Sequence, residues 1–286
     1  MTIDDWWDGQ QHVVVREQQI AHRVDGDGPD VLLVHGFPTS SWDWEPIVAE
    51  LRGEARLVTM DLLGFGASSK PREHGYSIHE QADVVAAVAA ATGIERCVLV
   101  AHDYGATVAL ELLARHDEGS LSFGVDALVL LNGGLYAELH RPRPGQVMLL
   151  DPEHGAEVSK HVTRATFGAS LNDVFSPDHQ LDDADLDEHW KAVHRDDGNL
   201  ILHELMHYVR DRLEHRERWV GALETSDVPM WFVWGMVDPV SGAHMAERIN
   251  ERVGHQTITE LHDIGHYPNV EAPVAVVAAI RAAIRS

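Results

Sequence analysis

Short runs of consecutive apolar residues recur along the chain, and most are separated by stretches whose composition suits helices. Continuous apolar strands that alternate with helices are typical of a largely parallel sheet covered on both faces, so the pattern predicts an α/β fold. The predicted strands are HVVV (12–15), VLLVHG (31–36), RLVTMD (56–61), CVLVAH (97–102), ALVLLN (127–132), MWFVWG (230–235) and QTITEL (256–261).

Between residues 135 and 222 this alternation stops, and the sequence becomes polar, acidic and rich in histidine. No strand-like apolar run occurs there, and the segments resemble helices joined by loops. We therefore expect a helical cap at 135–222, inserted into a core formed by 1–134 and 223–286. A helix start is also predicted at Ser77, because Ser77 and Glu80 have capping-box spacing ahead of an Ala/Val-rich segment.

Composition and charge limit the kinds of molecule that the protein is expected to bind. The formal net charge of −24 makes binding to nucleic acid or to an anionic membrane surface unfavourable. The single cysteine, Cys97, cannot form an intrachain disulfide, and the acidic N-terminus lacks the pattern of a signal peptide. We expect a cytoplasmic protein that has no nucleic-acid or membrane partner and is a monomer or a homodimer.

Asp103 is the first candidate for chemistry, in the segment VLVAHDYGATVAL. A strand is predicted to end at His102 and a helix to begin near Tyr104, which places Asp103 on a tight bend. A side chain on such a bend is exposed at the carboxyl end of the sheet, beside the positive end of a helix. The alternative is that Asp103 only caps that helix.

Four further positions match an active site built around Asp103. The turn HGFPTSSW (35–42) follows a strand, and the backbone N–H groups of Phe37 and Tyr104 form a candidate oxyanion hole. Asp238 ends a later strand, and His266 lies in a loop before the last helix. This order of nucleophile, acid and histidine is the one that strand–turn–helix hydrolases use. Taken singly, Asp238 would cap a turn, and His266 is one of 20 histidines.

The motifs HGFPTSSWDW, DLLGFGASSKP, HDYG, LNGG, DGNL and RERWVGAL together resemble the α/β-hydrolase fold proteins of the epoxide hydrolase and haloalkane dehalogenase group. Within that group the chain is most similar to the mesoderm-specific transcript family. The resemblance implies a mostly parallel eight-stranded sheet with an inserted helical cap. It also implies a cofactor-independent hydrolase that acts on a small apolar electrophilic substrate and water.

An aspartate nucleophile suits particular electrophiles. A carboxyl group with a reference pKa of about 3.9 is already ionised at neutral pH, so Asp103 needs no base for its attack. It would displace an epoxide oxygen or a halide from an sp³ carbon and form an ester. His266, oriented by Asp238, would then activate water. Hydrolysis of carboxylic esters is disfavoured, because attack by Asp103 would give an anhydride.

The leaving group separates the two main hypotheses. The resemblance implies that a cap tyrosine protonates an epoxide oxygen, and Tyr208 is that candidate. A second tyrosine is expected early in the cap, but none lies between 137 and 207, which leaves Tyr136 as the nearby substitute. Epoxide opening to a diol is the leading hypothesis.

Haloalkane dehalogenation is the alternative. Dehalogenases of this group bind the halide through a tryptophan directly after the nucleophile and a second N–H donor, whereas here Tyr104 and Phe37 occupy those positions. Trp190 is one remaining donor in the cap. His35, Trp190 and Tyr136 are thus the predicted substrate-binding side chains.

Two other functions are compatible with parts of the sequence. HELMH at 203–207 matches the zinc-protease helix pattern, with His203 and His207 as ligands and a third ligand available among Glu214, His215 and Glu217. The candidate residues around Asp103 already form a complete active site elsewhere in the chain. A zinc-dependent hydrolase is therefore less favoured, and no metal or cofactor is predicted. A non-catalytic binding protein also remains open, since fold does not imply function.

Overall fold

A computed structural model describes residues 1–254 and 256–286 of the chain. In this described part, eight strands form one sheet, with helices between them and at both ends. The strands are β1 (Gln11–Val15), β2 (Gln18–Asp25), β3 (Asp30–Val34), β4 (Arg56–Met60), β5 (Arg96–Ala101), β6 (Gly124–Leu131), β7 (Met230–Gly235) and β8 (Gln256–Leu261). The α-helices are α1 (Ile3–Asp8), α2 (Glu45–Leu51), α3 (Ile78–Thr92), α4 (Tyr104–Asp117), α5 (Pro144–Leu149), α6 (Gly155–Lys160), α7 (Arg164–Asn172), α8 (Asp183–His194), α9 (Leu202–Leu205), α10 (Tyr208–Glu214), α11 (Arg216–Thr225), α12 (Ala243–Arg252), α13 (Pro268–Glu271) and α14 (Pro273–Ile284).

The sheet is mostly parallel, as predicted. Its strand order is β1-β2-β4-β3-β5-β6-β7-β8, and every pair from β4–β3 to β7–β8 is parallel. Strands β1 and β2 form an antiparallel hairpin, and β2 pairs antiparallel with β4. The predicted eight-stranded α/β architecture is therefore confirmed.

The apolar strands supply two hydrophobic cores because successive side chains of a strand point to opposite faces. In β3, Leu32 and Val34 pack into one core with α3 and α4, whereas Val31 and Leu33 pack into the other with α2 and α14. A strand buried on both faces needs apolar residues at every position, which explains the continuous runs in the sequence.

Strand β2 was missed because its sequence, QQIAHRVD, contains no apolar run. Its preceding turn also lacks the usual Asn-Gly or Gly-Gly signal. Arg16 and Glu17 form that turn with φ values of 46° and 72°.

Between β6 and β7 the chain is helical, from α5 to α11. The last of these helices packs against the core helix α4, where the Nε1 of Trp219 donates to the Glu111 carboxylate at 2.8 Å. The predicted end of the cap at residue 222 falls inside α11, because the helix continues to Thr225. The division into core and cap stays a prediction.

The predicted helix start at Ser77 is present. The Ser77 hydroxyl accepts a hydrogen bond from the Glu80 N–H at 3.2 Å, while the Glu80 carboxylate pairs with His74. Across residues 1–254 and 256–286, no helix has the length and apolar character that a membrane crossing requires.

Candidate active site

Asp103 lies on the bend between β5 and α4, at the carboxyl end of the sheet. Its backbone has φ 45° and ψ −105°, a conformation that costs a residue other than glycine about 1–3 kcal/mol. The bend packs tightly on β3: a Cβ on Gly105 would lie 2.4 Å from the Val34 carbonyl oxygen. This close approach requires glycine there and fixes the direction of the Asp103 side chain.

The two oxygens of the Asp103 carboxylate have different surroundings. Oδ2 accepts a hydrogen bond from the Phe37 N–H at 3.1 Å. Tyr104 is the first residue of α4, so its N–H belongs to the electropositive end of that helix. Oδ1 lies 3.8 Å from the Nε2 of His266 and 3.7 Å from the Nη2 of Arg212. Oδ1 is therefore the oxygen that faces the imidazole and the guanidinium.

Asp238 and His266 form a buried pair beside Asp103. The His266 Nδ1 lies 2.7 Å from the Asp238 Oδ2, which also accepts from the Asn132 side chain at 2.9 Å and the Ser241 hydroxyl at 2.7 Å. Burial opposes ionisation of Asp238, but His266 and these donors outweigh burial and lower its pKa to about 2. Asp238 is therefore a fixed anion that orients the imidazole.

The ionisation of His266 depends on both carboxylates. Burial lowers its pKa, but the charges of Asp238 and Asp103 and the hydrogen bond to Asp238 raise the pKa to about 9 overall. His102, whose own pKa is lowered to about 3 chiefly by burial, lies with its Nε2 2.8 Å from the His266 carbonyl oxygen. In the resting site His266 is thus an imidazolium between two carboxylates.

A cavity of about 810 Å³ opens above this cluster, and its walls are largely apolar. Asp103 and His266 lie at its floor with Phe37 and Tyr267, while helices α5, α6 and α7 supply much of the opposite wall. The volume is within the range of about 300–1,000 Å³ that small-molecule sites occupy. The Asp103 carboxylate therefore faces a space that suits an apolar small molecule.

Tyr208 is packed near the reactive carboxylate without lining the cavity. Its ring centroid lies 4.9 Å from that of Tyr104 and 6.2 Å from that of Phe37. Burial, with the nearby Asp103 charge, raises its pKa and keeps the phenol protonated. Within residues 1–254 and 256–286 its buried hydroxyl has no hydrogen-bond partner. The phenol therefore has a proton that is not already donated to another group.

Three predicted substrate-binding residues are not among those that line the cavity. The Tyr136 hydroxyl donates to Glu224 at 3.1 Å, and the His35 Nε2 accepts from the Leu62 N–H at 3.0 Å. Trp190 stacks on His194, with ring centroids 5.2 Å apart. Each side chain is engaged elsewhere in the fold, so the structure gives no support to a substrate-binding role for them.

Arg212 was not predicted from the sequence, yet it is buried against Asp103. Its Nε donates to the Thr107 hydroxyl at 2.7 Å, and its Nη2 donates to the Asp103 backbone carbonyl at 3.1 Å. Because the segment YVRDRLEHRERW is highly charged, the sequence suggests that an arginine within it is exposed to solvent. The available signal was its i,i+4 spacing from Tyr208, which puts both side chains on the same helix face.

The residues of HELMH do not form one continuous metal-binding helix. Helix α9 ends at Leu205 and α10 begins at Tyr208, which places His203 and His207 on either side of the break. The His203 Nδ1 lies 3.0 Å from the Ser159 hydroxyl. Throughout the described chain, no group of three His, Cys, Asp or Glu side chains is arranged to hold a metal ion. The geometry does not support the zinc hypothesis.

Comparisons with known proteins agree with this architecture. The chain is 39% identical over 275 residues to LipZ of Mycobacterium tuberculosis, whose name describes it as a hydrolase; the match covers 96% of this chain and 95% of LipZ. It is 38% identical over 273 residues to the human mesoderm-specific transcript homolog protein, covering 92% of this chain and 81% of that protein.

Solved structures of enzymes from both predicted classes share the fold. The haloalkane dehalogenase DatA from Agrobacterium tumefaciens C58 superposes with a TM-score of 0.81 at 22% identity, covering 96% of each chain. The epoxide hydrolase CorEH superposes with a TM-score of 0.75 at 18% identity, covering 94% of this chain and 95% of CorEH. Residues 29–273 match the family model described as alpha/beta hydrolase fold, and the chain belongs to that family.

Proposed function

We propose that this protein is a cofactor-independent hydrolase that forms a covalent ester on Asp103 and that its substrates are apolar epoxides. The observation that carries the proposal is the position of the Asp103 carboxylate. It lies on a cavity floor, with Oδ2 held by the Phe37 N–H and Oδ1 facing His266. A carboxylate held in this way is ready to attack an sp³ carbon.

In the first step, Oδ1 of Asp103 attacks the epoxide carbon and forms a C–O bond while the carbon–oxygen bond of the ring breaks. The electron pair of that bond goes to the ring oxygen, which needs a proton. Tyr208 supplies the proton in this proposal, since its protonated phenol is buried near Asp103 and makes no other hydrogen bond in the described chain.

Once Asp103 is a neutral ester, the imidazolium of His266 gives its proton, by way of solvent, to the phenolate of Tyr208. In the second step the neutral imidazole removes a proton from water, and the water oxygen attacks the Cγ of the Asp103 ester. Negative charge develops on Oδ2, which already accepts a hydrogen bond from the Phe37 N–H. The N–H of Tyr104, at the electropositive N-terminus of α4, stabilises this charge further. Asp238 holds the imidazole orientation and stabilises the imidazolium. Collapse releases the diol, whose oxygen takes the proton from His266. The new carboxyl group then gives its proton to His266, which restores the free enzyme.

Haloalkane dehalogenation remains the second candidate, because the same attack by Asp103 displaces a halide. A halide leaves without a proton but requires N–H donors around it. Among the described residues, those that line the cavity include no tryptophan, and Tyr104 rather than a tryptophan follows Asp103. The missing indole donor favours an epoxide oxygen as the leaving group.

The proposal is tested by trapping the ester in a His266→Gln variant. The variant is incubated with styrene oxide or with 1-bromohexane, and the intact protein mass and the modified peptide are measured. We expect a stable adduct on Asp103 from styrene oxide and a weaker or absent adduct from 1-bromohexane. The double variant with Asp103→Asn is the matched control and should remain unmodified. Absence of an Asp103 adduct from both probes would refute the covalent mechanism for these substrate classes.

A further inference from the structure

A buried arginine lies behind the reactive carboxylate and has no part in the two steps above. Arg212, on α10, is 3% exposed. Thr107 and the Asp103 backbone carbonyl accept hydrogen bonds from its Nε and Nη2, so the guanidinium is held against the bend that carries Asp103. The Nη2 also lies 3.7 Å from Oδ1, the reacting oxygen.

The charge of this arginine is balanced by the nucleophile itself. Among residues 1–254 and 256–286, one carboxylate, that of Asp103, lies within ion-pair distance of Arg212. In the same residues the Nη1 of Arg212 has no hydrogen-bond partner. A guanidinium stays protonated at any pH relevant to proteins, so it cannot avoid the cost of burial by losing its proton. Removing the partner charge of a buried cation is strongly unfavourable.

We propose that Arg212 affects the two steps of the covalent cycle in opposite ways. It opposes accumulation of the Asp103 ester, and it speeds the hydrolysis of that ester. This inference rests on the proposed function. Alkylation of Oδ1 removes the negative charge of Asp103. The Cζ of Arg212 lies 4.5 Å from the centroid of the Tyr208 ring, so once the Tyr208 phenolate has been reprotonated, Arg212 is a buried cation with no anion beside it. Attack by water restores negative charge to the same group. Arg212 therefore raises the energy of the ester relative to the transition state that follows it.

The bonding changes in ester hydrolysis follow the geometry. The water oxygen bonds to Cγ as one water proton passes to the Nε2 of His266, and the carbonyl π pair moves to Oδ2. When the carbonyl re-forms, the Cγ–Oδ1 bond breaks, and Oδ1 departs with the alkyl group and takes the proton from His266. The new Asp103 carboxyl group then gives the second water proton to His266 and becomes an anion again beside Arg212.

The test separates the two rates in an Arg212→Met variant, which keeps most of the side-chain length and loses the charge. Styrene oxide is mixed with the enzyme, the reaction is quenched at short times, and the fraction of esterified protein is measured by mass. We expect ester hydrolysis to slow at least about 10-fold, since loss of a direct oxyanion-hole donor costs about 10²–10³ and Arg212 acts from farther away. Ester formation should be unchanged or faster, so the ester accumulates during turnover.

Arg210→Met is the matched control, because Arg210 is an exposed arginine on the same helix. It should leave both rates unchanged. Arg212→Lys, which keeps a positive charge, should restore part of the hydrolysis rate. Should Arg212→Met fail to fold, Thr107→Val provides a second test: it removes the acceptor that holds Nε, and it should raise the steady-state ester fraction by a smaller factor.

The outcomes distinguish this inference from the proposed function. If His266→Gln traps an ester but Arg212→Met slows both steps equally or neither step, the role assigned to Arg212 is wrong while the covalent mechanism stands. If His266→Gln traps no ester on Asp103, the proposed function itself fails. Selective slowing of hydrolysis in Arg212→Met, with no effect in Arg210→Met, supports both.

Discussion

The ionisation of His266 should be controlled by the charge of Asp103. In the free enzyme the pKa of His266 is raised to about 9, because the carboxylates of Asp238 and Asp103 outweigh the effect of burial. An imidazolium cannot act as a general base. The proposed mechanism therefore requires its pKa to fall when Asp103 becomes a neutral ester.

The size of the fall can be worked out from the structure. The Nε2 of His266 lies 3.8 Å from the Oδ1 of Asp103. At an effective dielectric constant of about 20, two unit charges at this distance interact by about 4 kcal/mol, which corresponds to about 3 pKa units. Neutralising Asp103 should thus lower the pKa of His266 well below about 9. The imidazole then becomes a neutral base only after the ester has formed.

Asp103→Asn tests this reasoning without any substrate, since asparagine has nearly the same shape as aspartate and matches the neutral charge of the ester. The pKa of His266 is measured by NMR titration of the imidazole nitrogens in the wild type and in the variant. We expect a decrease of about 3 units in the variant. A Glu54→Gln variant, which neutralises an exposed carboxylate of the core, should leave the value unchanged. A pKa that stays near 9 in Asp103→Asn would refute this coupling.

Three further predictions concern stability and specificity. Trp219→Phe should lower the free energy of unfolding by about 1–3 kcal/mol in urea titrations, because it removes the buried hydrogen bond to Glu111; an unchanged midpoint would contradict this. Leu171→Trp should shrink the cavity and reduce kcat/KM for bulky epoxides more than for small ones, whereas the exposed Leu213→Trp should not; equal loss for all sizes would count against the assigned cavity. The pKa of His266 is higher in the folded protein than in the unfolded chain, so its contribution to stability is present below about pH 6.5 and is lost as the pH rises through about 9. The pH dependence of unfolding should be shallower over that window in His266→Gln, and identical slopes would disprove it.

The sheet was predictable where its strands are buried on both faces. Strands β7 and β8 have the predicted bounds, and five other predicted strands overlap observed ones. Strand β2 escaped prediction because it pairs through its backbone and contains mostly polar residues, with Ile20 and Ala21 among the few that reach the core. Its turn at Arg16 and Glu17 has positive φ values without glycine, and tertiary context must impose that conformation.

The sequence predicts Asp103, Asp238, His266 and Phe37 as site residues, since each follows or ends a strand and parallel strands present their carboxyl ends at one edge of the sheet. Their distances to one another were not predictable, and neither was the support that Asn132 gives to Asp238. Tyr136 and Trp190 were chosen by residue type, and their side chains contact Glu224 and His194 instead. Residue type alone does not determine which way a cap side chain points.

The sequence by itself determined the α/β fold, the helical segment between β6 and β7, and the chain order of the three candidate catalytic residues. These features depend on local periodicity and on which residues end strands, and both are visible in the order of amino acids. Only the tertiary structure decided that Arg212 is buried beside Asp103, because its burial requires α10 to pack over the start of α4. An arginine in a charged helical segment looks solvated until its partners from distant parts of the chain are known. The electrostatic environment of Asp103 is therefore a property of the packed fold.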